Sequence, residues 1–468
     1  MEDPLVGPLA APALLFPLLL FLAQARLDRV HLDADSGEIT LAGRTDALRE
    51  HSRPTKWDVV TDLVVFRGRL LAIACMDFDG SSGMLAPWAY SNGAEVLEYS
   101  PRTDEWTVLR DMEGSMFFNA RVVDGRLLLP EYYPLEGRSR LVHSFDGVEW
   151  TTLGLLPEQN WHVMDAAGFG GRLYASGAWR DQAPVDEDDP KTWWNGYGHV
   201  FESADGGKTW RDIRRTSENG RVLDLVEFRG RLWGNERGHR LIAWDGKRWE
   251  EVPVRLSQAG VVPLGNANLY VFAGRIFAAH ADLVYTYDGA KWDSYRPGFL
   301  DVWVEGKRAW GLRENGKVAV SEDGVHWTLR TREGVPPKEF DRIAQAGRPL
   351  HRGSVALHRG RLFVGTGAEG RIWAAPYEEK GSLTSEPAEL PVGSPPALLW
   401  EAEGAGARVR WRTAATGEDL EKAPWKDATA SPARIDPPRK HRWVQWRVQM
   451  ESDGRRTPVV RGVRWETP

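Results

Sequence analysis

The chain has a single cysteine, Cys75, in 468 residues. One thiol excludes an intramolecular disulfide, a cysteine-pair zinc site and a cysteine-ligated cluster. It stands in the apolar run LLAIAC, the setting of a buried, inert thiol rather than a nucleophile. A cationic surplus is also missing. Sixty Lys and Arg against 66 Asp and Glu leave a net charge of −6 with no basic tail, so nothing points to nucleic acid as a partner. Gly-rich phosphate loops, a Gly-x-Ser-x-Gly elbow and a His-Glu-x-x-His segment are absent, and no motif specifies a cofactor.

The N-terminus, MEDPLVGPLAAPALLFPLLLFLAQA, holds an apolar stretch from Leu14 to Ala23. That is the length of a signal-peptide core and short for a bilayer span, and Ala23-Gln24-Ala25 offers small residues for cleavage. Glu2 and Asp3 stand where basic residues belong. The expectation for 1–25 is therefore a leader directing the chain to a secreted, periplasmic or cell-surface location. An uncleaved anchor, the only membrane contact foreseen, and a misassigned start stay open.

What is plentiful is Trp (23), Gly (48) and Pro (29), the mix of many short strands joined by tight turns. A repeat organises them. FRGRLLAIA (66–74), VDGRLLLPE (123–131), FGGRLYASG (169–177), FRGRLWGNE (228–236), FAGRIFAAH (272–280) and HRGRLFVGT (358–366) share one pattern, with a weaker copy, VEGKRAWGL, at 304–312. Between them recur HSFDGVEW (143–150), ESADGGKTW (202–210), AWDGKRW (243–249), TYDGAKW (286–292) and SEDGVHW (321–327). Each unit thus reads as two hairpins, one at a Gly-Arg turn and one at an Asp-Gly turn. Four strands per unit at a spacing of about 49 residues is the signature of propeller blades. Seven turns predict seven blades over 56–380, with six or eight left open. The last lacks its Asp-Gly-Trp segment, so the N-terminal strand near 28–42, within a lead of 26–55, is expected to close the ring.

Ser203-x-Asp205-x-Gly207-x-Thr209-Trp210 matches the Asp-box in full, and Ser321-x-Asp323-Gly324-x-x-Trp327 nearly so. In these motifs the chain resembles the sialidase-like, Asp-box (BNR-type) β-propellers over roughly 56–380. The resemblance implies the propeller fold, with the box as a structural turn whose Trp packs between blades. A sialidase-like glycosidase or a polysaccharide lyase is then one alternative function. Sialidases need three arginines around one carboxylate. Here Arg69, Arg126, Arg172, Arg231, Arg275 and Arg361 are turn arginines recurring once per blade, and no Arg-Ile-Pro segment precedes the first blade.

After a Ser/Pro/Gly-rich stretch taken as a linker (381–394), the runs ALLWEAE, ARVRWRTA, RWVQWRVQM and PVVRGVRWE alternate apolar with polar residues. They predict a small antiparallel β-sandwich of five to eight strands over 395–468, similar to accessory modules of secreted enzymes and lectins. The fold class is all-β: a propeller followed by a sandwich.

Propeller topology places the tight turns on one face. The other face takes the long insertions 75–98, 130–141, 177–199, 211–221, 251–266 and 328–350, where binding and catalysis usually sit. These carry Trp88, Tyr90, Tyr132, Tyr133, Trp179, Arg180, Trp193 and Trp194, together with Asp77, Asp79, Glu131 and Asp181. Aromatic rings beside carboxylates form a sugar platform; equally, such rings bury themselves under their own loops. Six residues before the turn glycines stand Asp62, Asn119, Asp165, Asp224, Asn268, Leu300 and Ser354, a polar ring at the top of the central channel. It reads either as a ligand ring or as ties between neighbouring blades, and recurrence favours the ties. His162 and His351 stand three residues before two ring members, and His162 with Asp165 is the best polar candidate. The run Asp186-Glu187-Asp188-Asp189 lacks the spacing of a calcium loop, so no metal is expected. The expected function is an exported monomer that binds an extracellular glycan or surface protein. A glycosidase using two of Asp77, Asp79, Glu131, Asp165 and Asp181, or a non-catalytic envelope scaffold, are the alternatives.

Overall fold

The computed structural model describes residues 26–466 apart from 33–36, 58, 76–92, 114, 118, 135–139, 158–159, 181–195, 217–221, 237–239, 253–267, 281–282, 296–298, 314, 341–352, 368 and 391–395. Two compact units emerge, one built from Thr45–Ser100 and Glu105–Ala375, the other from the segment ending at Arg44, from Pro101–Asp104 and from Pro376–Pro468. Among the described residues no helix is long and apolar enough to cross a membrane.

The first unit is a β-propeller. Blade I is the antiparallel meander Val59–Phe66, Arg69–Cys75, Gly93–Ser100 and Glu105–Glu113. Blades II to VI follow in chain order over 115–152, 160–215, 222–252, 268–295 and 301–329. In blade II the innermost strand is split into Ser115–Phe117 and Arg121–Val123. Blade VII takes Gly353–His358, Arg361–Thr366 and Ile372–Ala374 from its own stretch and its outermost strand, Arg49–Ser52, from the N-terminal side. Ring closure by an N-terminal strand is therefore present, but by 49–52 rather than 28–42. The earlier segment is already paired in the second unit, where Val30, Ile39 and Leu41 are buried.

The turns explain the repeat. The first hairpin is closed by two residues with positive φ, Arg67 (51°) and Gly68 (72°) in blade I, so Phe66 pairs with Arg69. This is the twist-matched two-residue hairpin turn. The arginine of each Gly-Arg pair thus opens the second strand rather than forming the turn. In three blades it reaches a carboxylate of its own blade: Arg69 makes a bidentate pair with Glu98, Arg231 pairs with Glu250 and Arg172 with Glu202, whereas Arg361 donates to Ala375 O and to Tyr99 Oη of blade I. In the second hairpin, Asp146, Asp245 and Asp288 each accept two backbone N–H groups of their own turn. Those bonds hold the carboxyls below the usual carboxylate range.

The Ser203–Trp210 turn does more. Asp205 accepts from Lys208 N, Thr209 N, Thr209 Oγ1 and Ser203 Oγ, while Ser203 Oγ accepts from Gly207 N at 2.8 Å. Trp210 Nε1 then donates at 2.8 Å to Gly154 O, just past the last strand of blade II, and Gly154 N donates to Gly207 O. The turn fastens one blade to its predecessor. Cys75 is fully buried in the core between blades I and II.

The second unit is a β-sandwich. One sheet runs Arg26–Asp28, Lys380–Thr384, Trp443–Glu451, Ala407–Ala414 and Lys426–Asp427, with Ala388–Glu389 also on Trp443–Glu451. The other runs Val30–Leu32, Ile39–Leu41, Val459–Glu466, Ala397–Glu403 and Ala433–Arg434. Val30, Ile39, Leu41, Val409, Trp411, Trp446, Val448 and Val460 fill the space between them. One helical turn, Gly417–Leu420, is capped by Thr416. The division differs from the expected one in two places. Strands 26–41 belong to the sandwich, and the expected linker 381–394 holds most of a strand whose Leu383 is fully buried in the core. The Ser- and Gly-rich composition of that strand hides its alternation, because a single apolar residue supplies the inward contact.

Candidate functional site

Polar residues that open the inner strands fasten neighbouring blades. Asp62 of blade I accepts from Ala120 N of blade II at 2.8 Å. Asn119 of blade II donates to Met164 O of blade III at 3.1 Å. Asp165 of blade III accepts from Leu225 N of blade IV at 2.8 Å. Ser354 of blade VII accepts from Leu63 N of blade I at 2.9 Å and donates to Asp62 at 3.3 Å, closing the circle. Each tie lands beside the next blade's own ring residue, so a strand that opens polar finds its partner one blade on. Asn268 opens its strand opposite Ala279; its side chain lies outside the described residues.

In blade VI the ring member is Asp301, not Leu300: its Oδ2 accepts from Val355 N of blade VII at 2.7 Å. Counting from the turn glycine fails there because the turn is Gly306-Lys307, glycine first, between the paired Glu305 and Arg308. Counted from the strand end, Asp301 and Asp62 are equivalent.

The residue that sequence reasoning missed is Arg121. Its Nε donates to Asp165 Oδ1 at 2.7 Å and its Nη2 to Asp165 Oδ2 at 3.0 Å. The same Nη2 reaches Asp224 Oδ1 of blade IV at 3.2 Å. Blades II and IV are not neighbours, so this meeting is on the propeller axis. The signal was in the repeat: two residues after each ring position stand Val64, Ala167, Val226, Tyr270, Trp303 and Ala356, and only blade II has a charge there.

The electrostatics follow from burial. Asp165 is 0% exposed and Asp224 4%, whereas Arg121 keeps 31%. Burial pushes the Asp62 carboxyl up to about 7, with Asp301 adding repulsion. Burial and then the Asp165 charge push Asp224 up to about 7. Asp301 is raised by burial as well. Burial opposes the charge of Arg121, but Asp165, Asp224 and Asp62 outweigh it and hold the guanidinium protonated. Solvent therefore meets a cation backed by carboxylates, not a carboxylate pair. Among the described residues no group of three or more acidic, His or Cys side chains is arranged to hold a metal ion.

The other candidates are dispersed. His162 is buried, its Nδ1 2.8 Å from Tyr132 O and its ring stacked on Tyr132 at 4.5 Å. Asp165 is taken by Arg121 and Leu225, so the structure gives the two members of the expected pair different partners. Tyr132 is 6% exposed and Glu131 3%, the latter 3.9 Å from His143. Both are buried, Tyr132 in the seam between blades II and III against His162, the outcome opposed to a platform. Tyr133, Trp179 and Arg180 lie on strands with their side chains outside the described residues. Asp77, Asp79, Trp88, Tyr90, Asp181, Trp193, Trp194, His351 and the run 186–189 lie outside them altogether, as does the segment 1–25 expected to be a leader.

No family model and no curated protein matches the sequence. Two solved structures are similar in shape. One is described as YCF48 bound to D1 peptide, at 12% identity and a TM-score of 0.41, covering 71% of this chain and 97% of that one. The other is the computationally designed Ika8 protein, at 10% identity and a TM-score of 0.39, covering 72% and 100%. The propeller assignment stands on the blade sheets themselves, and neither likeness bears on what this chain binds.

Proposed function

We propose that this protein is an exported, non-catalytic binding propeller, acting as a monomer, that takes an extracellular glycan or a surface protein on the face carrying its long connections. One observation supports this above the others. The described catalytic candidates, His162, Asp165 and Glu131, are all buried, and Asp165 is held in the inter-blade ties. A glycosidase needs two carboxyls open to the scissile bond across about 5–9.5 Å, and at the axis the accessible group is Arg121. The tight-turn face is likewise occupied by self-satisfied turns. The long connections between second and third strands and between blades are what remains for a partner.

The test is a glycan array and a cross-linking pull-down from envelope extract, run with the full-length protein and with a Trp193→Ala/Trp194→Ala variant. Capture of one defined glycan or protein, lost in the still-folded variant and without product formation, is the expected result. Turnover of a bound glycan would replace this reading with the glycosidase, and capture unaffected by the variant would move the site off this face.

A further inference from the structure

The six-stranded sheet of the sandwich has two faces of different chemistry. Val409, Trp411, Val448 and Met450 point into the core. The residues alternating with them point away, and cross-strand partners share a face. Arg26 stands opposite Thr384, Thr384 opposite Arg447, Arg447 opposite Arg410, and Arg410 opposite Asp427. Three arginines therefore form one row across the sheet. Arg26 and Arg447 are two strand spacings apart, about 10 Å, and Arg447 and Arg410 one spacing, about 5 Å.

This row is costly to the fold. Like charges directly opposite each other in a sheet are destabilising. Asp427 offsets Arg410 at 2.8 Å. Arg447 donates Nε to Thr384 Oγ1 at 2.8 Å, and no described carboxylate pairs with it or with Arg26. Burial, followed by Arg410 and Arg26, weakens the hold of Arg447 on its proton. Trp425 lies over the same face: its ring centroid is 4.3 Å from the Arg447 guanidinium carbon and 4.4 Å from that of Arg412, and Arg410 donates to its carbonyl. These partners hold the guanidiniums in place, but Asp427 is the one carboxylate among them, and the row keeps a positive excess complementary to an anion-bearing ligand.

We propose that this face binds an acidic polysaccharide, a chain of uronate or sulfated sugars, along the row Arg26–Arg447–Arg410 with a sugar ring against Trp425. Guanidinium forks match carboxylate and sulfate in bidentate geometry. Gln449 beside them is uncharged and half-buried and suits sugar hydroxyls, whereas Thr384 is buried and serves to position Arg447. Asp427 at one end and Asp28, two residues beyond Arg26, bound the positive field to a short segment. That favours a chain with spaced anions over a nucleic acid, as does the net charge of −6. The site lies in the second unit and is independent of the long-connection face.

The test is binding of the full-length protein to immobilised polygalacturonate and heparin, with dextran, polyglutamate and duplex DNA in parallel. Binding to at least one acidic polysaccharide and not to dextran is expected, weakening as salt rises from about 50 to about 300 mM. An Arg26→Gln/Arg447→Gln variant should lose about tenfold or more in affinity, which is about 1.4 kcal/mol, with an unchanged circular dichroism spectrum. Trp425→Leu should weaken polysaccharide binding as well, whereas Trp193→Ala/Trp194→Ala should keep it. Absence of binding to both polysaccharides, equal binding to polyglutamate or DNA, or full affinity in the double arginine variant each overturn the proposal.

Discussion

Arg121 of blade II and Asp165 of blade III meet in a two-point pair, Nε to Oδ1 at 2.7 Å and Nη2 to Oδ2 at 3.0 Å, at the centre of the propeller. The carboxylate is fully buried and also takes Leu225 N of blade IV, so one aspartate joins three blades. Satisfying a buried charge from several directions is what makes such a pair tolerable in a low-dielectric interior.

Removing the cation alone should be severe. Arg121→Met leaves Asp165 and Asp224 buried without their counter-charge and is expected to cost about 3–5 kcal/mol. Adding Asp165→Asn should recover part of that loss, because one of the two stranded carboxylates is then uncharged and its repulsion of Asp224 is relieved. Urea unfolding of the single and double variants measures both effects. A single variant as stable as the parent would show that the pair contributes nothing.

The ring carboxyls also set a pH dependence. Asp62 and Asp224 have an ordinary value of 3.8 and are pushed up to about 7 in the folded protein. Between these values the folded state holds more protons than the unfolded one, so their contribution to stability falls as pH rises from about 4 to about 7 and is flat beyond. Asp62→Asn and Asp224→Asn should each flatten that slope. Melting temperatures across pH 4–8 for parent and variants test this, and identical slopes in all three would be the contrary result. Asp205, held below the usual carboxylate range by its turn, acts in the opposite sense and only as pH falls below about 4.

The turn at Ser203 is a second structural lever. Its hydroxyl is buried, accepts from Gly207 N and donates to Asp205. Ser203→Ala leaves a buried N–H without its acceptor and is expected to cost about 1–3 kcal/mol. Denaturant midpoints would reveal it; a loss well below this range would mean that the backbone alone holds the turn.

Ring closure depends on a close approach between blades VII and I. A Cβ at Gly365 would stand 2.5 Å from Val60 Cγ1 and 2.9 Å from its Cβ. Gly365→Ala should therefore overpack the seam and destabilise by about 1–3 kcal/mol, with Val60→Ala partly relieving it. Thermal unfolding of the single and double variants checks the coupling, and additive effects would place the strain elsewhere.

The repeat, the turn chemistry and the alternation after residue 395 were local signals, and each survives in the fold because each is a property of neighbouring residues. Arg67-Gly68 must turn wherever it sits, and ARVRWRTA must present one apolar face. The polar ring was legible for the same reason, since Asp62, Asp165 and Ser354 recur at one register. Three things were not legible. The strand that closes blade VII, 49–52, pairs with 372–374 across more than 300 residues, and nothing in its own composition names that partner. The sandwich recruits 26–41 and 380–384 by hydrogen bonds whose donors and acceptors every backbone carries alike. Arg121 acquires its meaning only when blades II, III and IV converge on one axis, because a lone arginine on a strand is ordinary until folding removes the water from the carboxylates around it. The sequence by itself determined the repeating hairpins and their turns. Which strands pair at a distance, and which charges share a buried space, was decided by the tertiary structure, since backbone pairing is sequence-blind and desolvation exists only once the chain has closed.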